Sequence, residues 1–148
     1  MRTAREVLIF VFLMSENGEQ VLLTHRCREL GGYWHTVAGG IEELESDDEA
    51  VLRELREETG LDARRKLDPR RYSYSYSLLE EPPSRREIYP SGSEQISVTC
   101  FRLDTSPGWE PSLNCEHDDF RWCSLEEALS LLRWPAVIEA LVALSSGA

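Results

Sequence analysis

The spacing of apolar and polar positions divides the chain into strands and helices. Val7 to Met14 is an unbroken apolar run rich in Val, Ile and Phe, as expected of a strand buried on both faces. Asn17-Gly18 then favours a tight hairpin, because both turn positions tolerate positive φ, and Val21 to Arg26 is the returning strand. Gly31-Gly32 breaks the pattern, Tyr33 to Val37 reads as a short third strand, and Ala38-Gly39-Gly40 reads as a glycine turn. From Ser46 the period becomes helical. Ser46 is a good N-cap and Glu49 completes a capping box. Asp47 and Asp48 suit the positive end of the helix dipole, and Gly60 is a natural C-terminal stop. On a wheel with Glu54 at the origin, Val51, Leu55 and Leu52 fall near about 60°, 100° and 160°, a stripe facing the core. Glu54, Glu57 and Glu58 fall near about 0°, −60° and 40°, beside that stripe.

Beyond the helix, Tyr72 to Leu78 alternates Tyr and Ser, which puts Tyr72, Tyr74 and Tyr76 on one strand face. Glu80 to Glu94, with Pro82, Pro83, Pro90 and Gly92, reads as a surface loop or lid. Gln95 to Leu103 is a strand, Asp104 to Glu116 a second long loop and Asp119 to Trp122 a short strand. Ser124 and Glu127 form a second capping box that opens a helix to about Leu132. Pro135 opens a last helix through about Leu144, with Val137, Ile138, Leu141 and Val142 at helical spacing. No repeat, low-complexity segment or interdomain linker interrupts the pattern, so residues 1–148 read as a single domain.

Composition narrows the function classes. Of the 148 residues 41% are apolar, enough to build a core, and the net charge is −11. That charge repels a polyanion over most of the surface and argues against nucleic acid as a partner. Residues 42–58 hold nine carboxylates and two arginines, a local charge of −7, while the other 131 residues share −4. Cys27, Cys100, Cys115 and Cys123 form no C-x-x-C pair and lie at no zinc-finger spacing from a histidine, so they read as free thiols of a reducing compartment. The N-terminal apolar run is too short to span a bilayer, and polar Ser15 to Gly18 follows it where a signal peptide would have its cleavage site. No membrane segment is expected, and the cytoplasm is the default location.

Three carboxylates on one helical edge repel one another, and a divalent cation would offset the cost. With no His or Cys among them, the cluster suits a hard, oxygen-seeking ion, Mg2+ or Mn2+, and Mg2+ commonly shares its ligands with substrate phosphates. A solvated acidic helix face is the alternative reading of the same spacing.

The longer pattern is more specific. Gly39, five residues, Glu45, seven residues, Arg53-Glu54-Leu55, one residue, Glu57-Glu58, one residue and Gly60-Leu61 fills every fixed position of the Nudix box. The chain therefore resembles a Nudix hydrolase, with its box at residues 39–61. The resemblance implies an α/β fold, an α/β/α sandwich with a mixed β-sheet. It also implies an enzyme that hydrolyses a phosphoanhydride in a nucleoside diphosphate linked to a further group. By motif position Glu57 and Glu58 are metal ligands, Glu54 is a third, and the carbonyl of Ala38 is a further candidate. Glu45 and Arg53 are supporting residues that pair and fix the box loop. Many members add a later carboxylate as ligand or general base, for which Glu116 is the candidate and Glu94 the runner-up. Two positions depart from the common pattern. Many members have Pro-Gly-Gly where this chain has Val37-Ala38-Gly39, and many have Gly where it has Leu44.

Tyr33 to Gly39, Glu116 to Trp122 and the last helix are similar to the dATP and dihydroneopterin triphosphate pyrophosphohydrolase branch, which implies a nucleoside triphosphate as substrate. A Tyr at the distance of Tyr76 past the box is similar to dinucleoside polyphosphate hydrolases, the alternative substrate class. A non-catalytic nucleotide-binding module is the alternative outside the enzyme class. Arg26, Arg28, Trp34 and Tyr76 are the candidate substrate contacts. The run Arg64, Arg65, Lys66, Arg70, Arg71 reads as a solvated face before an RNA site. The expected partner is a small-molecule nucleotide, with a second copy of the chain as a homodimer candidate.

Overall fold

The computed structural model describes residues 2–62 and 67–146. Its elements run β1 (Arg2–Ser15), β2 (Gly18–Arg26), β3 (Trp34–His35), β4 (Val37–Glu42), α1 (Asp47–Thr59), β5 (Tyr72–Ser77), α2 (Pro83–Arg86), β6 (Gln95–Thr105), β7 (His117–Ser124), α3 (Leu125–Leu131) and α4 (Pro135–Leu144). The strands form one mixed sheet. β1 lies at its centre, parallel to β6 and antiparallel to β2 and β4, while β7 and β3 flank β2 and β5 flanks β6.

The apolar run in β1 serves two cores. Val7, Ile9 and Val11 point to one face and pack with Ala50, Val51 and Leu55 of α1. Leu8, Phe10 and Phe12 point to the other and pack with Ala128 of α3 and Val137, Ala140 and Leu141 of α4. Two-sided burial is why the run never alternates with polar residues. The result is helix, sheet, helix: the α/β/α sandwich with a mixed sheet that the box implies.

α1 has the expected bounds, with Ser46 and Glu49 exchanging both bonds of the capping box and Gly60 in the left-handed region at φ 74°. β1 extends five residues further toward the N-terminus than its apolar run, because β4 and β6 both pair with its polar end. The third strand is interrupted at Thr36, whose hydroxyl donates to the Ile9 carbonyl at 2.5 Å. Ala38-Gly39-Gly40 is strand, not turn, paired with Leu8, Val7 and Glu6. These glycines serve side-chain approach and not backbone reversal. A Cβ on Gly39 would lie 2.1 Å from the Glu54 carboxyl on one face, and a Cβ on Gly40 would lie 2.7 Å from the Arg2 guanidinium on the other.

The segment from Glu80 to Glu94 is more structured than a lid. It contains α2, and Tyr89 is 5% exposed, with its hydroxyl donating to Glu6 at 2.9 Å. Ser124 caps α3 by accepting from the Glu127 N–H at 3.1 Å, but the Glu127 carboxylate pairs with Arg121, so only half of the expected box is present. Buried Arg102 stacks on Phe12 and binds Glu19, Asp104 and the Leu144 carbonyl, tying the end of α4 to the sheet. Arg64, Arg65 and Lys66 lie outside the described residues. Of the same run, Arg70 binds Asp68 and the Leu144 carbonyl, and Arg71 stacks on Phe101. The four cysteines are free thiols, and no helix among the described residues is long and apolar enough to cross a membrane.

Leu44 is fully exposed and sits at φ 67°. The loop therefore keeps a left-handed residue where many box sequences place Gly, and Leu bears the steric cost. Leu44→Gly is expected to raise unfolding stability by about 0.5–1 kcal/mol, read by urea denaturation. An unchanged or lower midpoint would contradict the strain.

Candidate active site

The site is built on the contact between α1 and β4. Glu54 lies over Gly39, in the space a Cβ would fill. Glu58, one turn on, is 3% exposed and Glu54 is 9% exposed. Arg53 organises the surroundings. Its Nε and Nη2 donate to Glu45 at 2.8 and 2.9 Å, Nη2 donates to the Gly40 carbonyl at 2.8 Å, and Nη1 donates to Glu54 at 2.8 Å. Glu45 also accepts from the Glu42 N–H at 3.0 Å. One guanidinium thus joins the box loop, β4 and the buried carboxylate. Glu45 is held below the usual carboxylate range, chiefly by the Arg53 hydrogen bond.

Burial pushes the Glu58 carboxyl well above the usual range, and its hydrogen bond with Glu54, the Glu54 charge and Glu116 add to the shift, while Arg26 opposes it. Burial raises Glu54 too, opposed by its hydrogen bond with Glu58 and by Arg53. Two carboxylates packed in an apolar setting cannot both ionise freely, so the metal-free pair retains a proton.

His117 was not anticipated as a neighbour of this pair. It is 5% exposed, and its Nε2 lies 3.6 Å from Glu58 Oε1. Asn114 Oδ1 accepts the Glu116 N–H at 3.1 Å, which fixes it as the oxygen, so His117 Nδ1, 3.2 Å away, is the donor to it. Nε2 then turns toward Glu58. Burial, then Arg26, lowers the His117 pKa. The signal available in the sequence was its place directly after Glu116.

The other expected residues separate by position. Glu116 is exposed but close enough for its charge to act on Glu58. Glu57 is exposed on the outer side of α1, 3.4 Å from Arg53. Ala38 precedes Gly39 in β4. Arg26 acts electrostatically on Glu58, His35 and His117. Arg28 is exposed in a turn at Arg28–Leu30, and Glu94 is exposed. Trp34 and Tyr76 are not brought to the carboxylates. Both pack on the α4 face, Trp34 against His25 and Arg121, and Tyr76 with its hydroxyl on Glu6 and Glu81. The tyrosine stripe is thus largely a packing feature of β5.

The donor set suits a divalent cation. Two carboxylates are buried one helical turn apart, Glu54 in a glycine cradle, and a hard cation would offset their negative charge. Among the described residues no group of three or more His, Cys, Asp and Glu side chains is already arranged to hold a metal ion in this conformation.

Comparison with known proteins agrees with this fold. The family model of the NUDIX domain matches residues 4–144. The chain belongs to the Nudix family. It is similar to the E. coli dihydroneopterin triphosphate pyrophosphohydrolase, with a TM-score of 0.82, 19% identity and coverage of 99% of this chain and 98% of that one. It is also similar to a Nudix hydrolase from Listeria monocytogenes, with a TM-score of 0.73, 27% identity and coverage of 93% and 88%. A C. elegans Ap4A hydrolase gives a TM-score of 0.74 at 16% identity over 93% and 92%. In sequence the chain is 32% identical over 122 residues to an octanoyltransferase from Myxococcus xanthus, a match covering 82% of this chain and 31% of that relative's length. The Nudix family generally uses divalent metal ions.

Because both carboxyls titrate above their unfolded values, the folded metal-free protein binds more protons than the unfolded chain between the two ranges. The pair's contribution is complete below about pH 4 and is lost as pH rises toward the folded-state values. Metal-free protein should therefore lose Tm as pH rises from about 7 to 9, above the range in which buried His35 and His117, both lowered, act in the opposite direction. Glu58→Gln should flatten that slope, as should saturating Mg2+ or Mn2+ in the wild type. A wild-type slope unaffected by both changes would contradict the shared proton.

Proposed function

We propose that the protein is a Mg2+-dependent pyrophosphohydrolase of nucleoside triphosphates or close relatives. The observation that carries this reading is the buried carboxylate pair of Glu54, seated over Gly39, and Glu58, one turn on and 3.6 Å from His117. Glu54, Glu57 and Glu58, the three ligands the box implies, would hold the ion, with the Ala38 carbonyl before the box and Glu116 of a later loop as further candidates. Mn2+ is the natural substitute. When bound, such an ion neutralises phosphate charge and lowers the pKa of water. The chain's own residues do the rest. Arg53 and Glu45 hold the loop against α1, and Arg26 supplies a positive charge on the substrate side of Glu58. His117, held by Asn114, fixes the direction from which Glu58 is approached. The box loop carries no net positive charge of its own, so a polyphosphate is accepted only once the acidic segment is neutralised by metal. The E. coli dihydroneopterin triphosphate pyrophosphohydrolase fold supports the choice of a triphosphate over other linked groups.

The test is a panel of nucleoside triphosphates, dinucleoside polyphosphates and nucleotide sugars with Mg2+, run in 18O-labelled water to mark the attacked phosphorus. Release of pyrophosphate from triphosphates is expected, with kcat/KM reduced on the order of 100-fold or more in Glu58→Gln. A wild type that binds Mg2+ but turns over no member of the panel would sink the reading.

A further inference from the structure

Beside the carboxylate pair, at the β3 edge of the sheet, lies a group of side chains that the reaction as described leaves without a role. Trp134, the residue before α4, is 41% exposed. Its ring meets Tyr33 edge-on at 5.1 Å between centroids and His35 at 5.3 Å, and Tyr33 and His35 lie 6.0 Å apart. Two cations flank these rings. The Arg26 guanidinium is 6.0 Å from the centre of Tyr33, and that of Arg133 is 5.5 Å from Tyr33 and 5.6 Å from Trp134. Arg26 is also the cross-strand partner of His117, whose Nε2 lies 3.6 Å from Glu58, so the aromatic group adjoins the carboxylates.

The floor of this region is polar and incomplete. Leu22 faces α1, so Thr24 and Arg26, two and four residues on, share its face, and His35 is the cross-strand partner of Thr24. Thr24 is 0% exposed, and Thr24 Oγ1, Arg26 Nε and His35 Nδ1 are buried without a hydrogen-bond partner. Buried polar atoms are rarely left unpaired. Three on one face, next to an exposed indole and two guanidinium groups, match a ligand that is aromatic, anionic and capable of hydrogen bonding.

Building on the hydrolase reading above, we infer that Tyr33, His35 and Trp134 form the base subsite. A planar heteroaromatic ring stacks against the exposed part of Trp134, its polar edge meets His35 and Arg26, and its polyphosphate runs past Arg26 toward Glu58. Trp134 and His35 are then specificity-determining residues. Neither lies in the box, and Trp134 comes from the far end of the chain.

The experiment is equilibrium binding of α,β-methylene nucleoside triphosphates and of inorganic tripolyphosphate, with Mg2+, to the full chain. No turnover is needed, so a chain that binds these analogues but hydrolyses nothing refutes the enzymatic reading and not the subsite. Trp134→Ala should weaken nucleotide binding by about 10- to 100-fold, as loss of a stacking partner does. Tripolyphosphate binding should stay within about twofold of wild type, since it carries no base. Trp134→Phe should restore most of the affinity, and His35→Gln should change the ranking among bases. Wild-type nucleotide affinity in Trp134→Ala overturns the inference. So does an equal loss of nucleotide and tripolyphosphate, or no nucleotide binding by the wild type.

Discussion

The approach of the Glu54 carboxyl to Gly39 is the contact on which the rest of the site depends. A side chain at residue 39 would occupy the place of the carboxylate. With glycine there, α1 lies close enough to β4 for Arg53 to reach Gly40, Glu45 and Glu54 at once. The same approach buries Glu58 and brings it to His117 on β7. A local steric permission in one strand thereby sets the geometry of a loop, a helix and a distant strand. The neighbouring glycine performs the matching service on the other face, admitting Arg2 and through it the Glu6, Tyr76 and Tyr89 cluster that holds the Glu80 to Glu94 segment down.

The energetic state created there is unfavourable without a ligand. Glu54 and Glu58 are desolvated together, and Arg53 is already shared with Glu45 and the Gly40 carbonyl. Proteins rarely bury carboxylates in pairs unless a proton or a cation stands between them. The metal-free protein uses a proton. A divalent ion would replace it and invert the local field, so the chain's strongly acidic character becomes a requirement for binding an anionic substrate and not an obstacle to it. Of the four buried unpaired side-chain polar atoms among the described residues, three, on Thr24, Arg26 and His35, lie on the same side of the sheet, and the fourth, Arg2 Nε, lies on the other. Unsatisfied groups are thus concentrated around the site, where a ligand can complete them.

Much of this was legible in the sequence because local rules and the tertiary fold agree there. The Ser46 capping box, the Gly60 stop and the helical wheel place α1 and set its three carboxylates beside the core-facing stripe, while packing decides that Glu54 and Glu58 are buried and Glu57 is exposed. The apolar run of β1 reveals two-sided burial before any partner is known. Gly39 and Gly40 were misleading, since a glycine pair suggests a turn when only backbone freedom is considered. Their reason lies in side chains 15 and 38 residues away along the chain, Glu54 and Arg2, which no local pattern reveals. The same limit applies to His117, His35 and Trp134. Each is an ordinary residue in its own segment and acquires meaning only through register, when β7 and β3 flank β2 and the start of α4 folds over the sheet edge. Trp34, one residue from His35, falls on the opposite face because strand residues alternate.

The most direct test of the central contact is Mn2+ binding, followed by electron paramagnetic resonance, in the wild type and in Gly39→Ala, with circular dichroism as a check that the variant is folded. The account predicts that the added methyl displaces Glu54 and weakens Mn2+ binding at least about tenfold while the fold survives. A folded Gly39→Ala protein with wild-type Mn2+ affinity would contradict it.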